Sequence, residues 1–80
     1  MNANSPRIEK VAANSFVVFE GSDDKFFVEV TYLRKATRFT FMKPDHRLAE
    51  KIRKVGSRLV RTRLRNDGAI ANKIAELIAG

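Results

Sequence analysis

The sequence predicts an α+β domain, a three-stranded antiparallel β-meander followed by two C-terminal α-helices, with a capping pattern that allows a short N-terminal helical turn. Three observations predict it. Apolar and polar residues alternate with a period of two over much of residues 15–43, interrupted by turn chemistry. Pro44 and Asp45 then break the strand pattern, and apolar residues recur at spacings of three and four. Finally, Asn66-Asp67-Gly68 stops one helix and caps the next, ahead of a second apolar stripe.

Taken in order, Ser5-Pro6-Arg7-Ile8-Glu9 places a capping serine, a proline at the first helical position and a glutamate where a helix of one or two turns would want them, with only Ile8 and Val11 to pack. Residues 1–14 are therefore expected to be a partly ordered N-terminal arm, and 15–80 a single α+β domain. Residues 15–20 are β-branched and aromatic, Gly21-Ser22-Asp23-Asp24 is a turn, and 25–33 alternate again, which makes a hairpin. In its second strand Phe26, Val28, Val30 and Tyr32 share one face, and Phe27, Glu29, Thr31 and Leu33 share the other. After a turn at Arg34-Lys35-Ala36-Thr37 a third strand spans 38–43, with Phe39 and Phe41 directed to the core. A long helix is expected over 45–65, its Gly56-Ser57 costing about 1 kcal/mol relative to alanine. The last helix carries Ile70, Ile74, Leu77 and Ile78. The expected core combines Phe26, Val28, Val30, Phe39 and Phe41 with Leu48, Ile52, Val55 and Leu59 of the long helix and Ile74 and Leu77 of the last.

Eighty residues bury a small core, for which homodimerisation is a common remedy. The absence of cysteine excludes disulfides, thiolate metal sites and a cysteine nucleophile. The longest apolar run, Phe16-Val17-Val18-Phe19, is far short of a membrane span or signal core, so a soluble cytoplasmic protein is expected, with no membrane partner. The catalytic inventory is nearly empty. His46 stands alone beside Pro44 and Asp45, Asp23 and Asp24 suit a turn, and no phosphate-cradling loop, nucleophile elbow or metal-ligand spacing occurs. No enzyme, no metal and no cofactor is expected.

The charge distribution carries most of the functional signal. Residues 43–65 hold nine basic residues against two acidic ones, equal to the whole formal net charge of +7. Wound as a helix, Arg47, Lys51, Lys54, Arg58, Arg61 and Arg65 fall in one stripe roughly 80° wide. Like charges at those spacings repel, and only Glu50 with Lys54 fits a helical ion pair. Six of the nine cations are arginine, whose planar fork suits phosphate and guanine. A second surface is the strand face away from the core, with Arg38, Thr40 and Met42, Phe27 and Thr31 beside them, and Arg34 and Lys35 in the adjoining loop. An exposed Phe27 there could stack on a base.

Residues 38–61, in which a strand of alternating polar and apolar residues runs into Pro44 and then a helix pattern, resemble the ribbon-helix-helix repressors. The resemblance implies that two chains pair these strands into a ribbon entering the DNA major groove. Arg38, Thr40 and Met42 would then face DNA, Phe39 and Phe41 the core, and a second helix would begin after Gly56-Ser57.

The sequence reading is therefore a small, basic, non-enzymatic nucleic-acid-binding protein, with DNA favoured over RNA and a DNA-binding regulator as its role. Its expected contacts are Arg47, Lys51, Lys54, Arg58, Arg61 and Arg65 on the ridge, with Arg34, Lys35, Arg38 and Thr40 in support. The competing reading is an adaptor or inhibitor that docks its basic helix on an acidic protein.

Overall fold

The computed structural model describes residues 7–20, 25–45 and 51–80 and builds them into five strands and one helix. The elements are β1 (Arg7–Ala12), β2 (Ser15–Phe19), β3 (Lys25–Tyr32), β4 (Thr37–Asp45), β5 (Lys51–Val60) and α1 (Asp67–Ala79). The strands form one antiparallel sheet in the order β1-β2-β3-β4-β5, so every strand pairs with its neighbour in sequence.

The register sorts the side chains into two faces. Phe16 pairs with Val28 and Val28 with Phe41, while Val18 pairs with Phe26 and Val30 with Phe39. These residues share the face on which α1 lies, and Phe16, Val18, Val28, Val30 and Phe39 form the buried core with Ile70 and Ile74 of the helix. Ile8, Phe26, Phe41, Val60, Leu64, Leu77 and Ile78 pack around its margin. A period of two along the strands meets a period of 3.6 along the helix, and each element spends its apolar side on the other.

Two polar devices fix the helix. The Asn66 side chain accepts a hydrogen bond from the Ala69 N–H at 2.7 Å, capping the first turn, and Asp67 adds a negative charge at the positive end of the helix dipole. Lys10 on β1 donates to Asp67 at 3.2 Å. The connection from β5 to α1 is held by Thr37, whose side chain is completely buried. Its hydroxyl donates to the Thr62 carbonyl at 2.9 Å and accepts from the Leu64 N–H at 3.0 Å.

The fold differs from the sequence expectation in two places. The sheet has five strands rather than three, and α1 is the one helix among the described residues, so the three-stranded meander followed by two helices is overturned. The N-terminal segment expected as a helical turn is β1. Only Ile8 of this strand is even partly buried, which left no periodic signal. Over 51–60 the expected long helix is instead β5, paired with β4 from Thr37↔Val60 to Asp45↔Lys51. As a helix this segment would stack like charges at spacings of three and four around Gly56-Ser57. As a strand it distributes them between two faces and supplies the pairing that β4 lacks. The strand pattern was hidden by a β-bulge: the register shifts between Phe41 and Met42, leaving Val55 as an extra residue.

The core is corrected accordingly. Val28, Val30, Phe39 and Ile74 are buried and Phe26, Phe41 and Leu77 half-buried as expected, but Ile52, Val55 and Leu59 are exposed. Leu48 lies outside the described residues. Pro44 does not end its strand, because the β3–β4 ladder runs only as far as Phe27↔Met42. Beyond it, Lys43–Asp45 pair, among the described residues, with β5, so the missing N–H of Pro44 has no β3 partner to deprive.

Candidate nucleic-acid interface

Since α1 covers one face of the sheet, the other is open among the described residues. Its side chains follow from the register as rows across the strands. One row contains Arg7, Phe19 and Lys25. The next crosses all five strands as Glu9, Val17, Phe27, Met42 and Lys54, a span of about 19 Å at 4.7–4.9 Å per strand. A third holds Ser15, Glu29, Thr40 and Ser57, and a fourth Thr31, Arg38 and Leu59.

The open face is thus apolar in its centre, with the cations Arg7, Lys25, Arg38 and Lys54 and the carboxylates Glu9 and Glu29 around it. Val17, in its centre, is only 5% exposed, although no described element lies over it. Phe19 and Phe27 lie on adjacent strands, offset by one row, about 7–8 Å apart. The Arg7 guanidinium sits 4.4 Å from the centre of the Phe19 ring, and Arg7 Nε also reaches Glu9 at 3.1 Å. The Lys25 ammonium lies 5.6 Å from the Phe27 ring centre. Each aromatic ring therefore has a cation within reach of whatever stacks beside it.

The residues expected to form a single ridge are dispersed. Lys54 lies on the open face with Arg38 and Thr40, whereas Lys51 and Arg58 lie on the helix side of β5. Arg61 and Arg65 belong to the connection after β5. That connection leaves the sheet at the same end as the β3–β4 turn, so Arg34 and Lys35 gather there with Arg61, Arg63 and Arg65, all exposed. At this end a groove of about 470 Å³ is lined by Ala13, Asn14, Tyr32, Arg63, Leu64 and Arg65. Arg47, His46, Asp23 and Asp24 lie outside the described residues.

Sequence reasoning missed Arg7, Phe19 and Lys25. The signal for Phe19 was present: alternation along 15–19 opposes Ser15, Val17 and Phe19 to the core residues Phe16 and Val18. Arg7 had no such signal, because β1 itself was not legible. The segment that resembles the ribbon-helix-helix repressors has its strand, β4, paired on both sides within the chain, and is a strand again over 51–60.

Among the described residues no group of three or more His, Cys, Asp or Glu side chains is placed to hold a metal ion. No helix among them is long and apolar enough to cross a membrane. No family model, curated protein or solved structure matches this chain.

Proposed function

We propose that this protein binds single-stranded nucleic acid on the open face of its sheet, without catalysis. The observation that carries the reading is the pair Phe19 and Phe27 on a sheet face that no described element covers, each with a cation at its ring. A flat face with rings in its centre accepts unstacked bases, whereas a duplex keeps its bases turned inward. Lys25, Lys54 and Arg38 stand at the edges of the aromatic patch, where the phosphates of a strand crossing it would run. Thr40, Ser57 and Thr31 between them offer hydroxyls to base edges or sugars. The arginines and lysine at the 34–35 and 61–65 end extend the positive field beyond the sheet.

Base stacking on an aromatic side chain contributes about 1–3 kcal/mol per base, so Phe27→Ala should weaken binding of oligothymidylate or oligouridylate by about 5- to 150-fold. If three phosphates are engaged, log affinity should fall with log salt at a slope of about −2. Lys10→Ala, on the helix side of the sheet, should bind as the parent does. Fluorescence anisotropy with labelled oligonucleotides measures all three. Equal affinity of the Phe27→Ala variant and the parent would remove the proposal.

A further inference from the structure

The strand β5 is an edge of the sheet: among the described residues it is bonded to β4 on one side and to no strand on the other along its ten residues. Such an edge is ordinarily guarded by charge, and β5 does carry Lys51, Arg53, Lys54 and Arg58. It also carries what a guarded edge avoids. Ile52, Val55 and Leu59 are 52%, 54% and 53% exposed, three of the five exposed large apolar residues among those described. They occupy both flanks: Ile52 and Leu59 lie on the open face, while Val55, at the bulge, lines a groove on the helix side. That groove, about 410 Å³, runs between β5 and the C-terminal half of α1 over Phe26, Phe41, Leu77 and Ile78, with Arg58 and Glu20 at its rim.

We infer that β5 is the docking edge for an extended acidic segment of a partner protein, which adds to the sheet as a sixth strand. A strand laid about 4.8 Å from β5 covers Ile52 and Leu59 on one side and seats a side chain beside Val55 on the other, so one occupant accounts for apolar exposure on both faces. The charges set its composition. No acidic residue lies on β5, and none of its four cations takes part in an ion pair among the described residues. On the helix side Lys51, Arg53 and Arg58 are joined by Lys43 of β4, whose ammonium lies 4.9 Å from the Phe26 ring centre at the groove, four cations against the two carboxylates of Asp45, opposite Lys51, and Glu20. A segment that alternates acidic and apolar residues lays its apolar side chains on Ile52 and Leu59 and turns its carboxylates to Lys51, Arg53 and Arg58, with an acidic side chain's methylene stem beside Val55. A second copy of β5 does not: it brings four more cations and no acidic residue to the ribbon, and self-pairing about Val55 and Gly56 sets Arg53 directly opposite Arg58. This surface takes in the edge, its helix side and, on the open face, Ile52 and Leu59 of β5, with β4 between it and Phe27.

The test uses a fluorescein-labelled peptide, as long as β5, that alternates glutamate with valine, and a control in which lysine replaces glutamate. The parent protein should bind the glutamate peptide and not the lysine peptide, with amide exchange slowed along β5. Arg53→Glu combined with Arg58→Glu should weaken binding about tenfold or more while leaving the melting temperature near that of the parent, since both side chains are exposed. Val55→Asp should also weaken it, and Phe27→Ala should leave it unchanged, which separates this edge from the nucleic-acid surface. The inference is overturned if neither peptide binds, if both bind equally, or if the double variant binds as tightly as the parent. It is also overturned if the parent sediments as a dimer that itself protects the β5 amides, or if the double variant loses oligothymidylate binding in proportion.

Discussion

Replacing Thr37 by valine tests whether the hydroxyl clasp, rather than apolar packing alone, fixes the path from β5 to α1. The two side chains are nearly the same shape, so the change removes one hydroxyl and leaves the volume of a fully buried site almost intact. Two hydrogen bonds disappear, to the Thr62 carbonyl and from the Leu64 N–H, at about 1 kcal/mol net each. Leu64 is half-buried, so its orphaned N–H reaches water poorly and carries part of the 1–3 kcal/mol cost of an unpaired polar group. The added methyl returns up to about 0.8 kcal/mol. The net loss should be about 2 kcal/mol, out of roughly 4–12 kcal/mol for a domain of this length. At about 4–8 °C per kcal/mol, the thermal midpoint should fall by about 8–16 °C. Thr37→Ser keeps both bonds and should lose only about 1 kcal/mol. Thermal and urea unfolding followed by circular dichroism measure both variants, and amide exchange at Leu64 should quicken in the valine variant alone. A valine variant melting within about 2 °C of the parent, or a serine variant less stable than the valine one, would refute the reasoning.

The remaining predictions concern the elements around this clasp. Phe39→Ala should cost about 3–5 kcal/mol, because its ring is wholly enclosed, and Leu59→Ala should change stability by no more than about 0.5 kcal/mol, because its side chain is half in water. Chemical denaturation of the pair checks the burial assignment. Asn66→Ala should cost about 1 kcal/mol by removing the cap on the Ala69 N–H, with helix content otherwise retained by circular dichroism. A Cβ added at Gly56 meets no atom within 4 Å, so Gly56→Ala should stabilise the domain by about 0.5–1 kcal/mol in the same urea titration.

The parts of the fold legible in the sequence are those where burial imposes a pattern. The hairpin of β2 and β3, strand β4 and helix α1 each bury one face against the others, and their alternation or 3.6-residue spacing is written in Val28, Val30, Phe39, Ile70 and Ile74. The two edge strands carry no such constraint. β1 contributes only Ile8 to the core margin. In β5 the exposed Ile52, Val55 and Leu59 are free of the core, and the bulge at Val55 turns a period of two into spacings of three and four that imitate a helix face. The candidate site was legible to the same extent. Phe27, Arg38 and Thr40 could be assigned to the outer face from strands that were themselves legible. The cationic ridge depended on β5 being a helix, and its members separate onto two faces and one end of the sheet.

The order of the strands also bears on how the chain reaches this state. Every strand pairs with the one made just before it, so the sheet can assemble progressively from short-range contacts, a topology that favours fast folding. The helix is the exception. Its first-turn Asp67 meets Lys10 across 57 residues, and until α1 emerges Phe16, Val28 and Phe39 have no opposing layer. Ile70 follows Phe39 by about 30 residues, which at 5–20 residues per second of synthesis leaves on the order of two to six seconds with an apolar sheet face uncovered. For that interval the nascent sheet is apolar on the side later sealed by α1 and aromatic on the other. A chaperone that holds apolar strands would find its strongest grip there, and would lose the helix side when α1 docks.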